Sequence, residues 1–394
     1  MPETLCSHPE RHEQRPRRAA SIFFPVVGPL LGFSLVLGPG TAALAAPNAT
    51  PAFEARVNQA QAILEEMGVA YASISSRHYR LLFAGKREFA VQRKVILEAT
   101  RRNFLGFVRR LHLPINADHE MLLVILLDNE RQMQGFYRRA SGGEQRLAEW
   151  VAGYYDSGHN WSVFYNQRNG KELEQTEQYL NRMAQRLLSI PGGPDTIIQI
   201  DLPSGPVDKS KRSLAREMES EWARVIREVA RFNTVVTQHE GAHQIAYNTG
   251  VQDPNAAYPF WLSEGLACVF EVPPQRKGRR QGAARINGDR LAVFSQLLKE
   301  HRNLGIEAMV ASGQASPPIS IRAAYAESWA MFAFLFNRHA DELAEYMQFL
   351  VGHPANRVER KGREVAVFRR FFKTPLPELQ KRFDAYIVAL SQRR

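Results

Sequence analysis

The stretch TVVTQHEGAHQIAYNTG, from Thr234 to Gly250, carries the pattern H-E-x-x-H. On an α-helix, residues four apart share one face, with Cβ atoms about 5 to 6 Å apart, so His239 and His243 can reach one metal ion. Glu240 is rotated about 100° from His239 and would lie beside an open coordination position as a general base. The alternative is an ordinary helix with two satisfied core histidines. Gly241 costs this helix up to about 1 kcal/mol relative to alanine, which predicts close packing of another backbone or of substrate.

A catalytic zinc site needs a third protein ligand. The metzincin pattern would require Gly at 246 and His at 249, whereas this chain has Ala246 and Thr249, so that class is excluded. The turn-rich segment NTGVQDPNAAYP instead lets the chain reverse into a second helix, Pro259 to Glu271. Glu264 lies in the first turns of that helix among apolar residues, where an isolated carboxylate would be costly to bury. Glu264 is therefore the predicted third ligand, whereas Glu271, at the helix end, is expected to be solvated.

The stretches HEGAH and WLSEGLA resemble the gluzincin zinc metallopeptidases, and the second is similar to a helix of the aminopeptidase-N-like enzymes. With YAESWAMFAFL, the wider pattern resembles a largely uncharacterised family of secreted bacterial proteins of the peptidase-MA-like type. The resemblance implies Zn2+ bound by His239, His243 and Glu264, with Glu240 as the general base. It also implies that Tyr325 stabilises the oxyanion, for which a core aromatic residue is the alternative.

Glu327, two residues after Tyr325, is interpreted as a partner of an imidazole or as a substrate contact. The Gly-x-Met-Glu-Asn element that binds a free amine in the aminopeptidases is absent. The predicted function is therefore a secreted zinc metallopeptidase acting on peptide or protein substrates, with an endopeptidase favoured over an aminopeptidase. Two alternatives remain: a non-catalytic cell-envelope binding or assembly protein on this scaffold, and a zinc hydrolase of another amide.

Residues 1–45 have the composition of a secretory signal peptide. Arg15, Arg17 and Arg18 precede the apolar run Ser21–Leu37, and Ala-Leu-Ala follows at residues 43–45. The run is 17 residues long and is broken by proline and glycine, which is unsuited to spanning a bilayer. We expect cleavage and export to the periplasm or the medium, with no stable membrane span afterwards. The adjacent arginines leave twin-arginine export open beside the general route.

The chain has a net charge of +11, concentrated in the stretches at 275–290 and 357–370. Neither stretch interleaves aromatic residues or carries a nucleic-acid-binding motif, so no specific nucleic-acid partner is predicted. Two interpretations of this charge remain: solvated loops and helix faces, or attraction to anionic envelope polymers or acidic substrates. With Cys6 removed, Cys268 would be the lone cysteine, and no internal disulfide is expected. The pattern does not indicate an oligomeric state.

The hydropathy pattern predicts an α+β fold, with a small mixed sheet in the N-terminal half packed on a mainly helical C-terminal half. The resemblance implies that the helical half, which carries the H-E-x-x-H helix, is zincin-like. Predicted strands and helices of the first half are a strand at 78–85, a helix at 88–111, a strand at 121–128, a hairpin around 157–160 and a strand at 196–203. The pattern becomes helical after Ser204–Arg212. The predicted subdomains are an α/β subdomain at 46–205 and a helical catalytic subdomain at 206–394.

Overall fold

The structure is a computed structural model, and it describes residues 49–116, 120–143, 147–148, 151–202, 205–272, 286–352 and 363–392. The expected signal peptide and most of the two basic stretches lie outside the described residues. The chain divides into two compact units, a smaller one with Lys171–Glu228 and a larger one with the described residues of Leu37–Gly170 and Val229–Arg394.

Strands and helices alternate up to residue 210, and helices follow. The strands are β1 (Ala72–Ser75), β2 (Tyr79–Phe83), β3 (Leu122–Leu127), β4 (Gly153–Asp156), β5 (Trp161–Tyr165), β6 (Ile197–Leu202) and β7 (Gly205–Ser210). The α-helices are α1 (Pro51–Glu66), α2 (Arg87–Val108), α3 (Glu130–Ala140), α4 (Lys171–Ser189), α5 (Lys211–Asn248), α6 (Phe260–Cys268), α7 (Gly288–Lys299), α8 (Ile306–Ala311), α9 (Ile321–Arg338), α10 (Ala340–Val351), α11 (Arg363–Phe371) and α12 (Leu376–Gln392). The predicted α+β class is confirmed.

The larger unit contains a five-stranded mixed sheet with the order β1-β2-β3-β5-β4. The three central strands are parallel, and each edge strand is antiparallel to its neighbour. The hairpin expected around residues 157–160 is confirmed as β4 and β5, paired from Gly153 with Phe164 to Asp156 with Trp161. This topology leaves β4 as an edge strand, which matters for the site described below.

The central strand β3 is buried along its whole length, as its continuous apolar run predicts for a strand covered on both faces. Successive side chains of a strand point to opposite faces, and β3 accordingly serves two cores. Val124 belongs to the core that contains Ala242 and Ile245 of α5 and the C-terminal helices. Ile125 belongs to the core formed with α1 and α3.

The smaller unit has its own core, formed by Leu180 and Leu187 of α4 with Met218 of α5. The strand predicted at 196–203 is present as β6, but it pairs with β7 in a separate two-stranded sheet. The described chain therefore has two sheets rather than one, and β7 was not predicted. The five-stranded sheet and the C-terminal helices share the larger compact unit, and the subdomain boundary at 205–206 stays a prediction.

Helix α5 runs for 38 residues and carries the H-E-x-x-H pattern near its C-terminal end. Gly250 follows it with a positive φ of 75°, the left-handed conformation in which glycine commonly ends a helix. The chain then reverses into α6, which ends at Cys268, three residues earlier than predicted. None of the helices in the described residues combines the length and the apolar character needed to cross a bilayer.

Candidate metal centre and cleft

His239 and His243 lie one turn apart on α5, and their imidazole rings converge. Their Nε2 atoms are 3.2 Å apart, and their ring centroids are 4.9 Å apart. Oε2 of Glu264, on α6, lies 3.0 Å from Nε2 of His239 and 3.5 Å from Nε2 of His243. The structure therefore brings together the three side chains that the sequence predicts as ligands.

The spacing and chemistry of these three atoms suit a zinc-type ion. Ligands about 2.0 to 2.1 Å from a tetrahedral centre are separated from one another by roughly 3.3 Å. The observed separations of 3.0, 3.2 and 3.5 Å lie around that value. Two imidazole nitrogens and one carboxylate oxygen are also a donor set of catalytic zinc sites, which keep their fourth position open. His239, His243 and Glu264 could thus hold zinc.

The position of Glu264 depends on close packing of α6 against α9. A Cβ atom on Gly265 would lie 2.5 Å from the carbonyl oxygen of Ser328 and 2.8 Å from Cβ of Phe332. Only glycine allows two helix backbones to approach this closely. Leu266, the next residue, is buried in the core that also contains Phe332. The glycine in WLSEGLA therefore sets how far Glu264 reaches from α9 toward α5.

Glu271 is a site residue for which the sequence interpretation was wrong. It is buried rather than solvated, because α6 ends early and the chain after it turns toward α5. Its Oε1 lies 3.0 Å from Nδ1 of His239. Arg290 donates to both of its oxygens at 2.9 and 2.6 Å, and Nδ2 of Asn287 donates to Oε2 at 2.7 Å. Glu271 thus orients the ring of His239 and is itself held by Arg290 and Asn287, with Sγ of Cys268 3.4 Å from its Oε1.

The charges of the two carboxylates around His239 are compensated differently. Burial alone would raise the pKa of Glu271, but the hydrogen bonds from His239 and Arg290 outweigh it and lower the pKa to about 2. Burial also opposes ionisation of Glu264, whereas the charge of His243 and the hydrogen bond from His239 hold its pKa well below the usual range. Both carboxylates are therefore ionised at neutral pH. Arg290 neutralises Glu271, and a cation between the histidines would neutralise Glu264.

His239, Cys268 and Glu271 form a second group whose ligand atoms lie within 4.8 Å of one another. Its chemistry is less suited to a cation. Arg290 already places a positive charge on Glu271, so this carboxylate is compensated without an ion. We therefore assign this group to the support of His239 and not to a second ion.

Glu240, the predicted general base, lines the cleft beside the two histidines. Burial raises the pKa of its carboxyl group, and the charges of His239 and His243 oppose that rise. The backbone of Tyr155, on the edge strand β4, opposes the rise as well and favours the charged form. A carboxylate with a raised pKa is a stronger base than one in water, which suits proton transfer near neutral pH.

Gln244, the residue after the second histidine, anchors this turn of α5 to the sheet. Its side chain is fully buried. Nε2 donates to the carbonyl oxygen of Leu123 at 2.9 Å, and Oε1 accepts from Oγ of Ser162 at 3.2 Å. The same hydroxyl lies 3.5 Å from the carbonyl oxygen of Glu240. Because such a buried polar pair is satisfied only in one arrangement, it fixes the height of the motif above β3 and β5.

Two residues near the motif have structural roles that differ from those expected. A Cβ atom on Gly241 would lie 3.0 Å from Cδ2 of Leu97, so the close neighbour is a side chain of α2 rather than a backbone or a substrate. Glu327 is fully buried and accepts hydrogen bonds from the backbone N–H groups of Leu304 and Gly305 at 3.1 and 2.7 Å. It stabilises the start of α8, and its interpretation as a partner of an imidazole or of substrate is wrong.

Tyr325 faces the metal centre from α9. Its ring centroid is 5.6 Å from that of His239, in an edge-on arrangement, and the guanidinium carbon of Arg290 lies 5.2 Å from its centroid. Burial raises the pKa of its hydroxyl well above the usual value, so the group stays protonated and can donate a hydrogen bond. Tyr325 also lines the cleft, together with the three candidate ligands.

The cleft that contains these residues has a volume of about 470 Å³. Residues of α5 from Phe232 to Tyr247 line it, a span of about 22 Å at 1.5 Å per residue. His239 and His243 lie within that span, with further lining residues on both sides. The edge strand β4 contributes Gly153 to Tyr155 to another wall. The candidate metal centre is therefore inside an elongated cleft and not at a closed end.

Residues 232–355 match a protein family described as a protein of unknown function (DUF1570). The matched segment contains every predicted site residue, from His239 to Tyr325, together with Glu271 and Arg290. No curated protein matches the chain. The comparison thus groups the metal-centre segment with similar proteins and leaves its activity to be inferred from the residues themselves.

Proposed function

We propose that the protein is an exported zinc metallopeptidase of the gluzincin type that cleaves within peptide chains. The observation that carries the proposal is the convergence of Nε2 of His239, Nε2 of His243 and Oε2 of Glu264 inside a cleft. Glu240 lies beside these ligands, where a general base is needed. Export rests on the N-terminal sequence pattern alone.

Three residues would bind the ion, and Glu271 supports one of them. His239, His243 and Glu264 would bind it directly. Glu271 accepts a hydrogen bond from Nδ1–H of His239, which leaves the lone pair of Nε2 free for a metal and makes the ring more basic. When bound, zinc polarises the scissile carbonyl group and lowers the pKa of water as a Lewis acid.

The proton transfers belong to Glu240. Its carboxylate takes a proton from the attacking water and later delivers it to the nitrogen of the leaving amine. Tyr325, protonated at neutral pH because burial raises its pKa, would donate a hydrogen bond to the developing oxyanion.

An endopeptidase is favoured by the shape and charge of the cleft. The ligands lie inside a lining that continues in both directions along α5, so a substrate chain can extend past the scissile bond on either side. Among the described residues that line the cleft, the carboxylates are Glu240, Glu264 and Glu271. Each already has a role in the mechanism, which leaves none to bind the free amine of an aminopeptidase substrate.

The test is the variant Glu240→Gln, studied in the purified protein with a broad peptide library. We expect the variant to keep a stoichiometric amount of zinc, because Glu240 is not a ligand, and to lose at least about a hundredfold in kcat, because general-base catalysis contributes that much or more. Zinc content is measured by elemental analysis, and cleavage by mass spectrometry of the products with and without a chelator.

Glu307→Gln is the matched control, since Glu307 is an exposed carboxylate paired with Arg369 on the surface. It should leave both zinc content and cleavage unchanged. Full activity in Glu240→Gln would refute the mechanism. A protein that binds no zinc, or that binds zinc and cleaves nothing in a chelator-sensitive way, would support the non-catalytic binding or assembly alternative.

A further inference from the structure

A second cavity of about 420 Å³ adjoins the cleft, and the proposed mechanism makes no use of it. Four residues line both spaces: Phe232, Val235, Glu271 and Arg290. Of these shared residues, Phe232 is a large apolar side chain that is 46% exposed. A substrate chain that lies in the cleft along α5 would therefore continue over this ring into the second cavity.

The distance from the metal centre to Phe232 follows from the helix. Phe232 precedes His239 by seven residues, which corresponds to about 10 Å along the axis of α5. An extended peptide advances about 3.3 Å per residue, so roughly the third residue from the scissile bond would lie over Phe232. Val235 and Val236 also line the cleft between the two positions, so the intervening surface is apolar.

Among the described residues that line the second cavity, one positive charge is uncompensated. Arg290 is paired with Glu271, and Arg231 is paired with Asp289. Arg322, in the first turn of α9, is exposed, and no other described residue forms an ion pair with it. Three arginines against two carboxylates leave a net charge of +1 on the lining, and the unpaired charge belongs to Arg322.

We propose that this cavity is a distal subsite that selects a peptide segment in which a bulky apolar residue is followed by an acidic one. The apolar side chain packs on Phe232 and Val235, and the carboxylate pairs with Arg322. Ala292 and Val293 complete an apolar wall, which suits a short peptide segment better than a uniformly charged polymer. The inference rests on the proposed function, because it names the substrate class of the same cleft.

The experiment uses the zinc-loaded mature protein and a peptide library randomised on both sides of the cleaved bond. We expect products in which a bulky apolar residue lies about three positions from the cleaved bond on one side, with Asp or Glu next beyond it. Phe232→Ala should lower kcat/KM for such peptides about tenfold, because a pocket discriminates by roughly that factor for a modest change in apolar contact.

Arg322→Glu replaces an attraction by a repulsion at an exposed position. We expect it to raise KM for peptides with the acidic residue about two- to tenfold, more strongly at low ionic strength, with kcat and the cleavage of neutral peptides unchanged. The controls are Arg102→Glu and Val388→Ala. Arg102 is exposed on α2, Val388 is 45% exposed on α12, and neither lines the two cavities.

The outcomes separate this inference from the proposed function. Chelator-sensitive cleavage without the apolar-acidic preference, or an Arg322→Glu variant that behaves like Arg102→Glu, would overturn the distal subsite and leave the peptidase standing. An absence of chelator-sensitive cleavage in the wild-type protein would overturn both. Cleavage with the preference, weakened only by the variants at Phe232 and Arg322, would support the subsite.

Discussion

Glu271 offers the sharpest test of how the metal centre is supported, because it does not belong to the proposed ligand set. In Glu271→Gln the side chain keeps its size and loses its charge. Nδ1 of His239 then loses a charged acceptor that lies 3.0 Å away, and Arg290 loses the carboxylate that it contacts through two nitrogens. Both losses occur in the protein interior, since the side chain of Glu271 is only 4% exposed.

Two effects of known size should follow. Removing the partner of a metal-ligating histidine typically costs 10- to 100-fold in metal affinity, equivalent to about 1.4 to 2.7 kcal/mol. Removing one member of a buried ion pair typically costs about 3 to 5 kcal/mol of stability. The second cost should lie at the lower end of that range, because the side chain of Arg290 is 21% exposed and water can solvate it in part.

Zinc affinity is measured by competition with a chelating dye, and the free energy of unfolding is measured by denaturant titration of the metal-free protein. Glu307→Gln again serves as the control, because its ion pair with Arg369 is exposed and such pairs contribute less than about 1 kcal/mol. If folded Glu271→Gln bound zinc as tightly as the wild type, the assignment of Glu271 as the support of His239 would be refuted.

The remaining predictions concern the ligands and the two glycines of the site. His243→Ala should leave the purified protein with little zinc by elemental analysis and no chelator-sensitive cleavage, and stoichiometric zinc would argue against the ligand set. Gly265→Ala should lower the free energy of unfolding by about 1 to 3 kcal/mol or more, because its Cβ atom would meet the backbone of Ser328. Gly241→Ala should change it by less than about 1 kcal/mol, since the flexible end of Leu97 can move and alanine favours the helix. Equal losses in denaturant titrations of both glycine variants would contradict this packing explanation.

The parts of the fold that were predictable depend on short-range patterns. β3 was evident as a strand buried on both faces because six successive apolar residues have no polar face to expose. His239 and His243 were evident because their spacing alone puts them on one face of a helix. Glu264 was predictable because it is a carboxylate among apolar residues in the helix after the reversing loop, where burial without a partner would be costly. Each of these inferences needs at most two neighbouring elements.

The parts that were missed depend on contacts between distant segments. Glu271 was judged by its place at a helix end. Its burial depends on Arg290, 19 residues later, and on its contact with His239 of α5. Glu327 was judged by its distance from Tyr325, whereas its partners are the backbone N–H groups at the start of α8. Backbone donors leave no signature in sequence. For Glu271 the burial itself was therefore missed, and for Glu327 the partners were missed.

The contacts of the two ring nitrogens of His239 favour a metal centre over a pair of core histidines whose hydrogen bonds are satisfied. A structural histidine needs one partner for each ring nitrogen, and His239 has Glu271 for Nδ1. Its Nε2 and that of His243 are directed at the same oxygen of Glu264 and lie 3.2 Å from each other. Without an ion, His239 must carry a proton on both ring nitrogens to donate to Glu271 and Glu264, which places a charged imidazole 3.2 Å from Nε2 of His243. One divalent cation would satisfy the three converging atoms together and offset the charges of Glu264 and Glu240.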